Sequence, residues 1–101
     1  MILGFRDQTT RDIYNGDNTK AAREFPMSLW KVACRKLDLL NAARQLHDLR
    51  VPPGNRLEML RGDWTGFHSI RVNDQYRVVF VWVEGNVKDV QVIDYTNPSL
   101  D

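Results

Sequence analysis

Apolar and polar residues alternate through the second half of the chain in the pattern of an antiparallel hairpin. Over 69–82, one face of this alternation holds Ile70, Val72, Tyr76, Val78, Phe80 and Trp82, and the other holds Ser69, Arg71, Arg77 and Val79. The polar residues 73–75 separate the two runs and predict the turn. This register places Val72 opposite Tyr76 and Arg71 opposite Arg77, so both arginines lie on the same face.

The last turn leaves two registers open for the final strand. If Gly85 and Asn86 alone form the turn, Asp94 lies opposite Arg77. If the loop takes in one more residue, Ile93 lies there instead. Gly-Asn is a favoured two-residue hairpin loop, so the first register is preferred, and it places a carboxylate beside the arginines.

Two amphipathic stretches in the first half of the chain predict helices. The stronger covers 27–43, where apolar residues recur at three- and four-residue spacing: Met27, Trp30, Ala33 or Cys34, Leu37 and Leu40. A shorter helix is predicted over 8–14, with Thr9 or Thr10 as N-cap and Gly16 closing it. Shorter runs predict further strands at 1–5, 56–60 and 87–95.

This order of elements predicts an α+β fold in which two N-terminal helices pack on one face of a mainly antiparallel sheet. The helices bury their apolar stripe against one face, so the other face is expected to stay partly open and to carry Arg71 and Arg77. The length predicts one domain over 1–101, with 96–101 as a tail. A chain of this size buries roughly two thirds of its unfolded surface, enough for one core.

Composition narrows the function classes. Cys34 is the single cysteine, so an intramolecular disulfide is impossible, and two histidines are too few for a zinc cluster. No run approaches the ~18 apolar residues of a membrane span, and the first residues do not resemble a signal peptide. We therefore expect a cytoplasmic protein with no membrane association, no metal and no cofactor.

Positive charge is concentrated before the last strand. Residues 1–77 carry thirteen Lys or Arg against nine Asp or Glu, a net of +4, whereas 78–101 carry a net of −3. Ten of the fourteen basic residues are arginine, the side chain suited to bidentate phosphate contacts. Arg71 and Arg77 repel each other when paired across a sheet, so an anionic ligand or a nearby carboxylate is expected between them.

The polar residues on and around the open face suggest phosphate chemistry on RNA. They are Arg56, Glu58, Arg61, Asp63, Arg71, Arg77, Asp94 and Tyr95. A metal-dependent nuclease needs acidic ligands without cationic neighbours, and here each acid has an arginine nearby. Ser69 and His68 point to opposite faces of a strand, which disfavours a Ser–His enzyme, and His68 is expected to be buried and hydrogen-bonded. Metal-free cleavage remains, in which arginines bind the phosphate while a base and an acid move the protons.

One segment carries a resemblance to a known family. Residues 48–82 read DLRVPPGNRLEMLRGDWTGFHSIRVNDQYRVVFVW, of which PPGNRLE-x-L-x-G-x-x-x-G-x-HSIRVNDQYR is the most specific part. This segment resembles the HigB-type plasmid maintenance killer toxins of the RelE/ParE superfamily of type II toxin-antitoxin systems. The similarity extends over nearly the whole chain.

The resemblance implies a compact α+β fold and a ribosome-dependent endoribonuclease, an mRNA interferase that inhibits translation without metal. It implies a cognate helix-turn-helix antitoxin of the HigA type, and a complex of the pair that binds promoter DNA. Arg77 matches the family arginine at the scissile phosphate, and Arg61 matches a basic position. Asp94 and Tyr95 match the family's D-Y pair at the active cleft. Arg71 lies in the matched motif, and its role in RNA binding, like that of Arg56, is inferred from the strand pattern.

Two departures from the family pattern bear on activity. Related toxins commonly end in D-Y-H, but Thr96 follows Tyr95 here, and some relatives have histidine in place of Glu58. Threonine cannot act as an acid or base near neutral pH. Either Glu58, Asp94 or Tyr95 takes the proton, or cleavage is weak. The alternatives are a toxin-fold protein that acts mainly by binding its antitoxin in transcriptional autoregulation, and a gyrase-directed toxin of the same superfamily.

Overall fold

The predicted hairpin forms the centre of an antiparallel sheet. A computed structural model describes residues 1–95; Thr96 and the remainder of the predicted tail, 96–101, lie outside the described residues. Within residues 1–95 the sheet has four strands paired in chain order: β1 (Glu58–Met59), β2 (His68–Arg71), β3 (Tyr76–Val83) and β4 (Asn86–Asp94). Arg71 pairs with Arg77, which confirms the predicted hairpin register.

The first five residues extend the sheet beyond β4. Ile2 forms a parallel bridge with Val87, and Phe5 forms another with Val90. The predicted first strand is therefore an edge segment attached by two isolated bridges. The predicted strand at 56–60 is also shorter than expected, because only the two residues of β1 pair with β2.

Helix α1 (Gln8–Asn15) begins at a different N-cap from the predicted Thr9 or Thr10. Asp7 is the N-cap, and its carboxylate accepts a hydrogen bond from the Thr10 amide at 2.9 Å. The Thr10 hydroxyl instead accepts a bond from the Val92 amide at 3.0 Å, which ties the helix to β4. Gly16 closes the helix with φ 78°, as predicted.

Helix α2 (Trp30–Ala42) supplies most of the predicted apolar stripe. Ala33, Leu37 and Leu40 are fully buried, and they share one core with the inward residues of β2 and β3, namely Ile70, Val72, Val78 and Phe80. Met27 is 55% exposed, so its assignment to the stripe was wrong. It lies in a 3₁₀ turn (Met27–Leu29) before α2, and the tighter turn shifts it away from the α-helical face.

Replacing Leu37 with alanine is expected to cost about 2–5 kcal/mol of unfolding free energy, because the lost methyl groups leave a cavity in close-packed surroundings. Urea unfolding followed by circular dichroism measures this loss. Leu39→Ala, on the half-buried side of the same helix, is the matched control and should cost less. Equal losses for the two variants would contradict the assigned core.

The β3–β4 register differs from the preferred prediction. Glu84 and Gly85 form the turn, with φ 48° and 82°, so Val83 pairs with Asn86. A bulge in β4 then adds one residue around Asp89, whose φ is 52°. As a result Ile93 lies opposite Arg77 and Asp94 lies opposite Tyr76. The prediction that Asp94 faces Arg77 was wrong, because turn position and bulge together set the register.

The face that was expected to stay open is covered at one end. Arg6, beside β4 at one edge of the sheet, lies 4.9 Å from the Trp64 ring, and Trp64 contacts Phe67 just before β2. The β1–β2 loop must therefore cross this face, and Val79 beneath it is fully buried. Among residues 1–95, the end of this face near the β2–β3 turn remains open.

Two 3₁₀ helices, Leu46–Arg50 and Pro53–Asn55, connect α2 to the sheet. The second ends next to Arg56. Across residues 1–95, no helix is long and apolar enough to cross a membrane.

Candidate functional site

A polar cleft of about 250 Å³ lies at the open end of the sheet face, near the β2–β3 turn. The side chains that line it come from the residues before and within β1, from the β2–β3 hairpin and from the end of the described chain: Arg56, Glu58, Arg71, Asn73, Asp74, Arg77 and Tyr95. Five of these seven residues were singled out from the sequence. The fold therefore brings together residues that are up to 39 positions apart in the chain.

Arg77 lies at the base of the cleft and its side chain is only 6% exposed. Its Nη1 is 3.0 Å from Oε1 of Glu58, and its guanidinium lies 4.8 Å from the centre of the Tyr95 ring. Its Nε is buried and has no hydrogen-bond partner among residues 1–95. Glu58 lies on β1, where it pairs with Ser69, so the Arg77 side chain reaches across β2 to contact it.

A backbone carbonyl also holds Arg77. Nη2 donates a hydrogen bond of 2.5 Å to the carbonyl oxygen of Arg56. Arg56 has φ 47°, a left-handed conformation that residues other than glycine rarely adopt. The residue before it, Asn55, is fully buried and bonds to the carbonyls of Leu49 and Val51.

Arg71 forms the other cationic wall of the cleft. Its guanidinium forms an ion pair with Asp74 in the turn, whose side chain is 98% exposed. Glu58, the partner of Arg77, is 46% exposed. Both carboxylates therefore lie on the solvent side of their arginines, away from the helices. The Arg71–Asp74 pair is exposed and therefore weak, whereas Glu58 pairs with a nearly buried arginine but keeps its own side chain half exposed, where an incoming anion can reach it.

Of the remaining predicted site residues, Tyr95 lines the cleft, whereas Asp94 and Arg61 do not. The Tyr95 hydroxyl donates to Glu58 at 3.4 Å, which places Tyr95 inside the cleft. Asp94 is exposed and accepts a hydrogen bond from the Gln75 side chain at 3.0 Å, but it does not line the cleft. Arg61 is exposed at the start of the β1–β2 loop and likewise does not line the cleft.

Other titratable groups offer little for catalysis. His68 stacks on Phe80, burial lowers its pKa, and its Nδ1 has no hydrogen-bond partner in the described chain, contrary to the prediction. Burial and the nearby Asp38 raise the pKa of the Cys34 thiol, which disfavours the nucleophilic thiolate. No group of three or more His, Cys, Asp or Glu side chains that could hold a metal ion occurs within 1–95.

Three contributors to the cleft were missed from the sequence. The sequence predicts Asn73 and Asp74 only as turn residues. Because this turn joins the strands that carry Arg71 and Arg77, its polar side chains also lie at the cleft. The Asn73 side chain accepts bonds from the amides of Gln75 and Tyr76 at 2.9 and 2.8 Å. Asn55 lies outside the helices and strands predicted from the sequence, and nothing in its local sequence indicates that it is buried.

The arrangement is suited to binding a phosphate between two guanidinium groups. Arg77 is held rigidly, Arg71 is close to solvent, and Glu58 and Tyr95 supply groups that can accept or donate protons. A phosphate that enters the cleft meets the exposed Glu58 and Asp74 first and must displace them from the arginines. The carboxylates thus satisfy the arginines until an anion replaces them.

Known proteins resemble this chain in sequence and in fold. Residues 3–96 match a family model described as HigB-like toxin, the RelE-like toxin HigB of type II toxin-antitoxin systems. Toxin HigB-1 of Vibrio cholerae serotype O1 is 47% identical over 85 residues, 84% of this chain and 87% of that protein. An uncharacterized protein of Haemophilus influenzae is 37% identical over 86 residues, 85% of this chain and 83% of that protein.

A solved structure resembles the fold. YafQ from E. coli strain BL21(DE3) superposes with a TM-score of 0.56 and covers 94% of this chain and 92% of its own. At 15% sequence identity, this likeness concerns the fold alone.

Proposed function

The chain belongs to the HigB-like family of RelE-like toxins of type II toxin-antitoxin systems, and from this premise we propose that it cleaves mRNA on the translating ribosome. Membership in such a system implies an antitoxin partner. The observation that supports cleavage is the cleft in which Arg71 and Arg77 face Glu58 and Tyr95. A toxin that acts on a protein target has no need of two arginines around a phosphate-sized space.

The proposed reaction is an attack by the ribose 2′-oxygen on the adjacent phosphorus. Glu58 takes the proton of the 2′-hydroxyl, the bond from phosphorus to the 5′-oxygen breaks, and Tyr95 donates a proton to that leaving oxygen. Arg77 stabilises the charge that develops on the phosphate oxygens. The reaction needs a 2′-hydroxyl, so the substrate is RNA and not DNA.

The remaining candidates are assigned to binding. Arg56 and Arg71 lie on the cleft wall and contact the phosphates on either side of the cleaved bond. Arg61 lies outside the cleft and contacts the RNA strand further from the cleaved bond. Asp94 bonds to Gln75 and so supports the position of Tyr95, whose amide bonds to the Gln75 carbonyl at 2.6 Å.

The function is tested by tightly controlled expression of the protein with primer extension on a reporter mRNA. Cuts that depend on translation support the proposal. Growth arrest with DNA damage and no cuts would point to a gyrase-directed toxin. A third outcome is that expression changes neither growth nor mRNA, although the protein binds its antitoxin. The protein would then act only by binding, in a complex with the antitoxin that regulates their promoter.

Arg71→Ala is expected to weaken binding to ribosome-bound mRNA about two- to fivefold and to leave the cleavage rate of bound mRNA nearly unchanged, because Arg71 is a partly exposed contact. The slope of affinity against salt should fall by about one unit. Binding is measured by fluorescence anisotropy on programmed ribosomes over a salt series.

Asp74→Asn is the matched partner variant, since it removes the carboxylate that competes for Arg71. It should strengthen binding slightly. If both variants weaken binding to the same extent, the ion pair supports the turn and Arg71 does not contact RNA.

A further inference from the structure

Asn55 forms a buried link between helix α2 and the cleft. Its side-chain amide donates to the carbonyls of Leu49 and Val51 at 3.1 and 3.4 Å. Its Oδ1 accepts a hydrogen bond of 2.6 Å from Nζ of Lys36 on α2. Asn55 is fully buried, and both ends of its amide are satisfied. A side chain bound at three points in the interior holds its own backbone in place.

The backbone that Asn55 holds is the one that contacts Arg77. Arg56 follows Asn55 directly and adopts a left-handed conformation with φ 47°. This conformation costs free energy for a residue with a Cβ, so neighbouring contacts must maintain it. It aims the Arg56 carbonyl at Nη2 of Arg77, at 2.5 Å. If residue 56 relaxed to an ordinary conformation, its carbonyl would turn away from the guanidinium.

We propose that Asn55, fixed by Lys36, is a positioning residue that acts through the Arg56 carbonyl to hold the Arg77 guanidinium in the geometry needed at the phosphate. The catalytic consequence rests on the proposed function. The structural part, in which Asn55 immobilises Arg77, does not.

Lys36 itself is suited to this role. Burial lowers its pKa, and so do the nearby cations Arg35 and Arg71. Its neutral partner, an amide oxygen, holds the ammonium without adding a carboxylate near the cleft. A carboxylate at position 55 would bind Lys36 as well, but it would lack the two amide donors and would lower the positive potential around the phosphate.

The test uses the full-length chain and two independent readouts. The first is the ¹⁵N NMR signal of the Arg77 Nε–H, assigned by its loss in Arg77→Lys. In Asn55→Ala this signal should shift and broaden while the backbone amides of β3 and β4 keep their positions. Asn41→Ala is the control, because the exposed Asn41 side chain also bonds the backbone, by accepting from the Ile2 amide, but far from the cleft. The control should leave the Arg77 signal unchanged.

The second readout is single-turnover cleavage on saturating programmed ribosomes. Asn55→Ala should lower the cleavage rate of bound mRNA by about 10- to 100-fold, as expected for a misplaced catalytic group. Its affinity for the programmed ribosomes should stay within about twofold of that of the parent protein. Lys36→Met should also lower this cleavage rate. Lys36→Arg keeps the positive charge and should retain most of the parent rate. Because Lys36 is only partly buried, its variants decide the question if Asn55→Ala does not fold.

An unchanged Arg77 signal in Asn55→Ala, or in Lys36→Met where Asn55→Ala does not fold, overturns the positioning role whatever the activity. A changed signal without any cleavage by the parent protein supports positioning and contradicts the proposed function instead. The proposal is also overturned if Asn41→Ala, at the same thermal stability as Asn55→Ala, loses as much cleavage rate. General destabilisation would then account for the loss.

Discussion

Replacing Arg77 with alanine is expected to lower the cleavage rate of ribosome-bound mRNA by about 10²- to 10³-fold, the usual cost of losing one charge-stabilising group. Arg77 is nearly buried and held by Glu58, by the Arg56 carbonyl and by the Tyr95 ring. Its guanidinium therefore needs little reorganisation when charge develops on the phosphate. Single-turnover cleavage of a defined mRNA on saturating ribosomes measures the effect directly.

Two variants separate the role of Arg77 in catalysis from its role in folding. Arg77→Lys keeps the positive charge but cannot bond Glu58 and the Arg56 carbonyl from one planar group, so it should recover only a small part of the rate. Arg50→Ala removes an exposed arginine that does not line the cleft and should cleave normally. A folded Arg77→Ala protein that cleaves at the parent rate would refute the phosphate-binding role of the cleft.

Glu58→Gln is expected to change binding and chemistry in opposite directions. Without its charge, residue 58 competes less with phosphate for Arg77, so binding of ribosome-bound mRNA should tighten about two- to fivefold. The same change removes the proposed proton acceptor, so the cleavage rate of bound mRNA should fall by about 10²-fold or more. Glutamine has nearly the same shape as glutamate and can still accept a hydrogen bond from Arg77, which limits structural side effects.

Glu84→Gln, in the exposed β3–β4 turn, is the matched control and should change neither quantity. Tyr95→Phe removes the proposed proton donor and leaves the ring beneath Arg77, so it should slow the reaction without tightening binding. If Glu58→Gln tightens binding but keeps the parent rate, Glu58 only occupies the phosphate position, and the proton passes to another group.

The two ion pairs in the cleft bear on whether it can bind RNA at all. Had Arg71 and Arg77 been paired with carboxylates beneath the helices, no phosphate could reach them. Instead both carboxylates lie toward solvent, where a ribosome-bound RNA can displace them. The like charges predicted from the strand pattern are thus balanced by groups that an anionic substrate can replace.

Local patterns predicted several features correctly. The alternation in β2 and β3 predicted the pairing of Arg71 with Arg77, because a three-residue turn between two regular strands leaves one register. The spacing of Ala33, Leu37 and Leu40 predicted the helical face that packs on the sheet. Both signals are periodic and depend only on neighbours along the chain.

The sequence by itself thus determined the α+β class, the central hairpin and the arginines at its open end. Only the tertiary structure decided that Asp94 faces Tyr76, that Asp7 caps α1, that the β1–β2 loop covers one end of the sheet face, and that Asn55 bonds to Lys36 beside the cleft. The physical reason is that a bulge, a competing hydrogen bond and a buried amide are settled by contacts between distant segments. Such contacts leave no periodic trace in the residues that make them.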